Sequence, residues 1–317
     1  MSYLEATDLA RAYPIGRKGM FRAQRQFFAV DGVSLTLEKG ETLGIVGESG
    51  CGKSTLSRLI LGLIDADRGA VVLDGRDLSE LDDAGWRAQR RKMQLVYQDA
   101  AGSLDPRMPV RAQVEEPLHI HGLSLDGATR ALQAVGLSGA MAERYPHEMS
   151  GGQLQRVVIA RALALEPEVM VLDEPVSALD VSIQAQIVNL LMDLQREFGL
   201  TYVFVSHDLS VVQHISTRVA VMYLGRIVEE APREALFARP LHPYTRVLID
   251  AVPKPNPSLR RAGRLEVGDP PNPADPPSGC RFHPRCPMAV AQCRTEAPAL
   301  RSFRDRRVAC HLAEETF

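Results

Sequence analysis

The chain has 317 residues, of which 45% are hydrophobic and 24% charged, and its formal net charge is -2. This composition is typical of a globular protein with one large domain or two smaller ones. The charge argues against nucleic acid as the main partner, because binding a phosphate backbone requires a basic face. No stretch approaches the roughly 18 apolar residues of a membrane span, and the acidic N-terminus is not a secretory signal. We therefore expect a cytoplasmic protein that reaches membranes only through partner subunits.

The predicted elements alternate between strands and helices along the chain. Val33, Leu35 and Leu37 alternate with polar residues, which predicts a half-buried strand. An apolar run at 41–46, a glycine-rich turn and a helix at 53–64 follow. Further predicted elements are a helix at 151–165, a strand at 169–172, a helix at 182–198, a strand at 201–205 and a hairpin joining 219–223 to 227–229. This alternation predicts a parallel α/β sheet with right-handed crossovers.

Composition also predicts the domain organisation. Residues 1–252 form the main domain, and within it a more helical, proline-interrupted part spans about 99–165. Residues 253–279 contain eight prolines and few apolar side chains, which is typical of a linker. A four-cysteine segment at 280–317 follows. A short basic run at 17–25 is either a solvated segment or a contact for lipid phosphates.

A phosphate-binding loop is predicted between the apolar run and the first helix. The sequence fits the pattern G-x-x-x-x-G-K-S/T with Gly47, Glu48, Ser49, Gly50, Cys51, Gly52, Lys53, Ser54 and Thr55. Glycines let backbone N–H groups converge on phosphate oxygens. Lys53 would reach the β- and γ-phosphates, and Ser54 would place its hydroxyl on Mg²⁺. A chance glycine turn is the alternative, and the flanking strand and helix argue against it.

Two carboxylates end the apolar strand at 169–172. A buried strand end does not tolerate unpaired carboxylates, so Asp173 and Glu174 need a partner. Mg²⁺ supplies one: Asp173 would hold the ion through water, and Glu174 would polarise the water that attacks the phosphate. Downstream of a phosphate loop, this pair predicts nucleotide hydrolysis.

A serine–glycine turn precedes the helix at 151–165. Ser150 is placed as the N-cap, and a plain capping turn is one interpretation. Two glycines and a serine at a helix start also form a phosphate-binding site. Since one chain does not need two sites for one γ-phosphate, the second would serve the nucleotide of a partner.

In chain order these motifs resemble those of the ATP-binding cassette (ABC) ATPases. The resemblance covers about residues 1–250 and rests on the phosphate loop, Gln98, the Met149–Gln153 turn, Asp173–Glu174, Ser177–Asp180 and His207. It implies a P-loop NTPase fold with a parallel-sheet core, an N-terminal antiparallel β subdomain and an α-helical subdomain, followed here by a cysteine-containing extension.

The resemblance also implies roles for individual residues. Two such domains would pair head to tail around two ATP molecules, with the γ-phosphate of the opposite subunit capped by Ser150, Gly151, Gly152 and Gln153. Asp180 would cross that interface, and His207 would contact the γ-phosphate. Gln98 would contact Mg²⁺ and the attacking water and relay the nucleotide state. Tyr13 matches the adenine-stacking aromatic, although a core role for Tyr13, or stacking by Phe27 instead, is an alternative.

Other segments resemble the ATPases of dipeptide and oligopeptide importers. They are Tyr97–Asp99, Gly102–Arg107, Tyr223–Glu229 and Arg239–Thr245. The resemblance implies two different ATPase subunits, of which this chain would be the second, with two permeases and an extracytoplasmic solute-binding protein. This chain would then lie at the cytoplasmic face of the inner membrane. Importers of nickel chelates, opines or glutathione are alternatives within the subgroup. A soluble cassette ATPase acting on DNA or ribosomes and a non-hydrolysing nucleotide sensor are more distant alternatives.

The five cysteines fall into two groups. Cys51 occupies a variable position of the phosphate loop where a small residue suffices, and a helix N-terminus is expected to lower its pKa and speed its alkylation. The other four are Cys280, Cys286, Cys293 and Cys310. Four thiolates suffice for a 4Fe–4S cluster, whereas zinc is less favoured because its ligands usually form tighter pairs. Unliganded thiols are the third alternative.

Overall fold

The computed structural model describes residues 2–15, 25–137, 139–252, 268–269 and 271–314. Most of the basic run at 17–25 and positions 253–267 of the proline-rich segment therefore lie outside the described residues.

The strands and helices occur in the mixed order predicted by the sequence. The strands are β1 Leu4–Ile15, β2 Arg25–Leu37, β3 Thr42–Val46, β4 Arg68–Leu73, β5 Arg76–Asp77, β6 Met93–Val96, β7 Val169–Asp173, β8 Thr201–Ser206, β9 Arg218–Tyr223, β10 Arg226–Pro232, β11 Arg301–Phe303 and β12 Arg306–Val308. The helices are α1 Lys53–Ile60, α2 Asp83–Lys92, α3 Val110–His121, α4 Asp126–Ala134, α5 Gly151–Leu163, α6 Val181–Phe198, α7 Leu209–Ile215, α8 Arg233–Ala238, α9 Pro243–Ala251 and α10 Ala291–Thr295.

One compact unit comprises Met1–Leu4, Leu37–Thr42 and Leu73–Ser206. Its parallel strands β6, β7 and β8 pair in the order β6-β7-β8, with Val169 opposite both Met93 and Thr201. Every residue of β7 and β8 is buried, as expected for parallel strands covered on both faces. Helices α3, α4 and α5 pack against one another in the same unit.

The second compact unit comprises Glu5–Thr36, Leu43–Val72 and His207–Phe317. Strand β3 pairs in parallel with β9, and β9 forms an antiparallel hairpin with β10. The hairpin turns at Leu224 and Gly225, whose φ angles of 43° and 85° match the right-handed twist of the strands. The C-terminal strands continue this arrangement, because β12 pairs antiparallel with both β10 and β11.

The α/β class with parallel and antiparallel pairing is confirmed. The predicted strand at 33–37 lies within β2, and the predicted hairpin is β9–β10. The helix predicted at 53–64 instead ends at Ile60, because the chain turns at Gly62, where φ is 60°. Glycine ends helices in this way because it adopts a left-handed conformation at no steric cost.

Among the described residues, none of the helices combines the length and the apolar character that crossing a membrane requires.

Candidate nucleotide-binding site

The phosphate loop connects β3 to α1, and two of its glycines lie where only backbone fits. A Cβ on Gly47 would come within 2.2 Å of Met222 O. At Gly52 a Cβ would come within 2.0 Å of Ala29 O, and φ there is +106°. Side chains at either position would collide with neighbouring main chain, so the sequence G-x-x-x-x-G is required by packing as well as by phosphate access.

Lys53 lies inside this loop. Its side chain is only 5% exposed, and Nζ donates hydrogen bonds to Gly47 O at 2.8 Å and Glu48 O at 3.1 Å. Helix α1 begins at this lysine, and its N-cap, Gly52, has no side chain to cap the first turn. A helix N-terminus beside a buried ammonium group is suited to bind an anion such as phosphate.

Several hydrogen bonds within the second unit hold the phosphate loop in place. Gly225 N donates to Cys51 O at 2.8 Å. The Tyr244 hydroxyl accepts a hydrogen bond from Glu48 N at 2.9 Å, and Arg285 binds both carboxylate oxygens of Glu48. Tyr244 and Arg285 were not predicted to be site residues, since these contacts join positions about 200 or more residues apart.

Cys51 does not behave as expected from its position before a helix. The residue is 4% exposed, and burial raises the pKa of its thiol despite the opposing effect of nearby Lys53. The predicted lowering of the pKa is therefore wrong, because removal from water penalises the thiolate more than the lysine stabilises it. We expect no fast alkylation at this position.

The acidic pair lies in the first unit, at the carboxyl end of β7. Asp173 is 8% exposed, and Glu174 is half-buried. The φ angle of Glu174 is +51°, an unfavourable value for a residue with a Cβ. Its N–H donates to Val205 O at 2.9 Å, and its carbonyl accepts from the Ser177 N–H and hydroxyl. A strained backbone fixed in this way is typical of functional sites.

The serine–glycine turn forms the predicted cap of α5. Ser150 Oγ accepts from Gln153 N at 3.4 Å, and Gln153 Oε1 accepts from Ser150 N at 2.9 Å. A Cβ on Gly152 would come within 2.6 Å of Ile183 Cγ2. The turn therefore packs closely against the start of α6, which follows Asp180. Ser150 and Asp180 themselves are exposed and available to another molecule.

Gln98 follows β6 and is exposed. Farther along the chain, before α3, the main chain at 105–108 is held by a side chain that the sequence did not predict to have this role. The Gln113 side chain accepts from Asp105 N and donates to the carbonyls of Asp105 and Met108. Arg107 also hydrogen-bonds the Asp105 carboxylate and lowers its pKa to about 2. A glutamine four residues into a helix carries no recognisable sequence signal for this role.

The remaining predicted residues lie in the second unit. The Tyr13 ring centroid is 5.9 Å from that of Phe27, and the Arg11 guanidinium is 5.5 Å from the Tyr13 ring. Both aromatic side chains are half-buried, so both remain candidates for adenine stacking. His207 is exposed directly after β8.

The cysteines of the tail lie near one another. Burial and the other three cysteines raise the pKa of Cys310 to about 11, and burial also raises those of Cys280 and Cys286. Within the described ranges, however, no three or more His, Cys, Asp or Glu residues form a group that could hold a metal ion. The chemistry of the thiols suits a soft metal, but their arrangement does not form a ligand set.

A strand, a glycine loop and a helix that begins at a buried lysine define a phosphate-loop nucleotide-binding protein. The family model described as "ABC transporter" matches residues 30–177, and one described as "Oligopeptide/dipeptide transporter, C-terminal region" matches residues 228–293. Together with the relatives described next, these matches show that the chain belongs to the ABC transporter family.

Relatives match almost the whole chain. The oligopeptide transport ATP-binding protein AppF of Bacillus subtilis is 48% identical over 98% of this chain and 97% of its own length. The dipeptide transport ATP-binding protein DppF of Escherichia coli is 47% identical over 98% of this chain and 95% of its own length. A dimeric ATP-binding cassette solved in a post-hydrolysis state with ADP and Pi is 31% identical, with a TM-score of 0.64, covering 73% of this chain and 98% of that one. The predicted resemblances to the ABC ATPases and to the ATPases of dipeptide and oligopeptide importers are confirmed.

Proposed function

We propose that this chain is the ATP-hydrolysing subunit of an importer that moves peptides across the cell membrane. The observation that carries the proposal is the buried Lys53 inside a glycine loop that neighbouring main chain keeps free of side chains. The choice of peptides rests on AppF and DppF, whose names specify oligopeptide and dipeptide transport.

Hydrolysis would rely on positioning and charge. The Lys53 ammonium would neutralise the β- and γ-phosphates, and Glu174 would accept a proton from the attacking water. His207 would contact the γ-phosphate, and Gln98 would orient the water. Oxygen ligands suit Mg²⁺, so Ser54, Gln98 and Asp173 would hold the ion, which neutralises phosphate charge when bound.

A second copy of the cassette fold would complete each site. Ser150 is exposed at the N-terminus of α5, where helix dipole and backbone N–H groups favour a phosphate. We infer that Ser150, Gly151, Gly152 and Gln153 cap the ATP held by the partner ATPase subunit, with Asp180 at the same interface. By the resemblance to peptide importers, we propose a heterodimer with a second ATPase subunit, working with two permeases and an extracytoplasmic binding protein at the cytoplasmic face of the inner membrane.

The experiment that tests this function reconstitutes the chain with its partner ATPase, permeases and binding protein in vesicles. We expect phosphate release and uptake of labelled di- or oligopeptides, both lost in Lys53→Ala and retained in Lys39→Ala, a matched change at an exposed lysine. Uptake of a nickel chelate, an opine or glutathione instead of peptides would identify the alternative solute. No phosphate release from the assembled complex would contradict the ATPase itself.

The finer cofactor hypothesis is a 4Fe–4S cluster on Cys280, Cys286, Cys293 and Cys310. It is supported by the number of thiols and by their mutual effect on ionisation, while their arrangement argues against it. Anaerobically purified protein should contain about four iron and four sulfide ions per chain if the hypothesis holds. Absence of iron and sulfide would exclude the cluster. One zinc ion per chain would instead support the alternative of a zinc site.

A further inference from the structure

The C-terminal segment contacts the phosphate loop through a bidentate pair between Arg285 and Glu48. Arg285 lies in a single helical turn, His283–Arg285, between Cys280 and Cys286. Its Nη1 and Nη2 atoms donate to the two carboxylate oxygens of Glu48 at 2.9 and 2.8 Å. The arginine side chain is 7% exposed and that of Glu48 28%. Such a bidentate arginine–carboxylate pair is a strong, geometrically specific contact, because each charged group takes part in two directed hydrogen bonds.

An aromatic cluster holds Arg285 in place. Phe282 is 1% exposed, and its ring centroid lies 5.4 Å from those of Tyr223 and Tyr244. The Arg285 guanidinium lies 5.8 Å from the Tyr223 and Phe282 rings. Because these side chains are packed and buried, the arginine has little freedom to leave the carboxylate.

The same cluster reaches the loop by a second route. Glu229, fully buried in β10, accepts hydrogen bonds from the N–H groups of Leu241 and His242 at 2.8 and 2.9 Å. These bonds fix the chain just before α9. Tyr244 lies in the first turn of α9, and its hydroxyl accepts a hydrogen bond from the Glu48 N–H. The backbone and the side chain of Glu48 are therefore both held by residues of the C-terminal part of the chain.

A carboxylate in a phosphate loop creates an electrostatic problem. The loop must bind a polyanion, and an unpaired Glu48 would repel it across a short distance. The Arg285 fork cancels that charge and keeps the carboxylate turned toward the C-terminal segment. Held in this way, the carboxylate does not compete with a phosphate for the ammonium group of Lys53, which donates to the carbonyl of the same Glu48.

We propose that Arg285 is a positioning residue of the nucleotide site, which acts through Glu48 to neutralise and orient the phosphate loop. The C-terminal four-cysteine segment is then a working part of the nucleotide site. This inference rests on the proposed ATPase function.

The first test measures equilibrium binding of a fluorescent ATP analogue to the full chain. Arg285→Gln should raise the Kd by about tenfold, the size expected when one member of a partly buried ion pair is left alone. Arg301→Gln is the matched control, because Arg301 lies in the same segment and pairs with exposed Glu314. Kd in this control should equal that of wild type. An unchanged Kd in Arg285→Gln would overturn the proposal.

A double variant separates charge from general damage. In Glu48→Gln/Arg285→Gln no charge is left alone, so Kd should return to within about threefold of wild type. A double variant as weak as Arg285→Gln would overturn the proposal, since the arginine would then act only through packing. In the reconstituted complex, Arg285→Gln should raise KM for ATP and largely spare kcat.

Two further variants keep the test decisive. Should Arg285→Gln fail to fold, Arg285→Lys takes its place: it keeps the charge but loses the fork, so Kd should rise about threefold. A wild-type Kd for Arg285→Lys would then overturn the proposal. Lys53→Ala, which should lose ATP binding, separates the two proposals. Wild-type protein that binds ATP no better than Lys53→Ala contradicts the ATPase function itself, whereas normal binding by Arg285→Gln contradicts only the role of Arg285.

Discussion

Replacement of Glu174 by Gln should slow ATP hydrolysis by about 10²–10⁴-fold while ATP binding stays close to that of wild type. The amide keeps the size and the backbone hydrogen bonds of Glu174, including the contact of its N–H with Val205 O at 2.9 Å. It cannot accept a proton from the attacking water. The loss should therefore fall on kcat, because in the proposed role the carboxylate would act on water in the transition state and not on the bound nucleotide.

The measurement is phosphate release by the reconstituted complex, together with the Kd for ATP. Glu166→Gln is a closely matched control: Glu166 belongs to the same unit, has a φ angle of 52° against 51° for Glu174, and pairs with exposed Arg130. Equal hydrolysis by wild type and Glu166→Gln is expected. Turnover near wild type in Glu174→Gln would remove this residue from the role of general base.

The local elements were predictable because their signals are local. The alternation of apolar residues at 33–37, the apolar runs at 41–46 and 169–172 and the Ser150 cap each depend on neighbours within a few positions. Hydrophobic periodicity and capping operate over this range. The glycine loop was recognisable for the same reason, since the glycines, the lysine and the serine that the motif requires lie within nine consecutive residues, Gly47 to Thr55.

The support of the site was not predictable, because it depends on contacts between distant positions. Arg285 reaches Glu48 because Phe282 packs against Tyr223 of β9 and Tyr244 of α9, beside the phosphate loop. The prediction of a lowered pKa for Cys51 was wrong for a related reason. Sequence shows the helix that follows the thiol but not the residues that bury it, and burial decides its pKa.

Replacement of Gly52 by Ala should weaken ATP binding by about 100-fold or more and lower the free energy of unfolding by about 3 kcal/mol. Two costs add. A φ angle of +106° is unfavourable for any residue with a Cβ, and the added methyl group would lie 2.0 Å from Ala29 O. The obstacle is main chain of β2, so it cannot be relieved by a side-chain rotation. The loop must then shift, and the Lys53 ammonium and the N-terminus of α1 shift with it.

Gly75→Ala is the control that separates the two costs. Gly75 has a φ angle of 75°, and apart from Gly75 and its two chain neighbours no described residue has an atom within 4 Å of the position that a Cβ would take, so alanine there meets only the backbone penalty. We expect that variant to lose about 1 kcal/mol of stability and no ATP affinity. Chemical denaturation and equilibrium binding of ATP measure both quantities. If Gly52→Ala matched Gly75→Ala in both, the loop would be compliant at this position, and the close approach of Ala29 would play no part in shaping the nucleotide site.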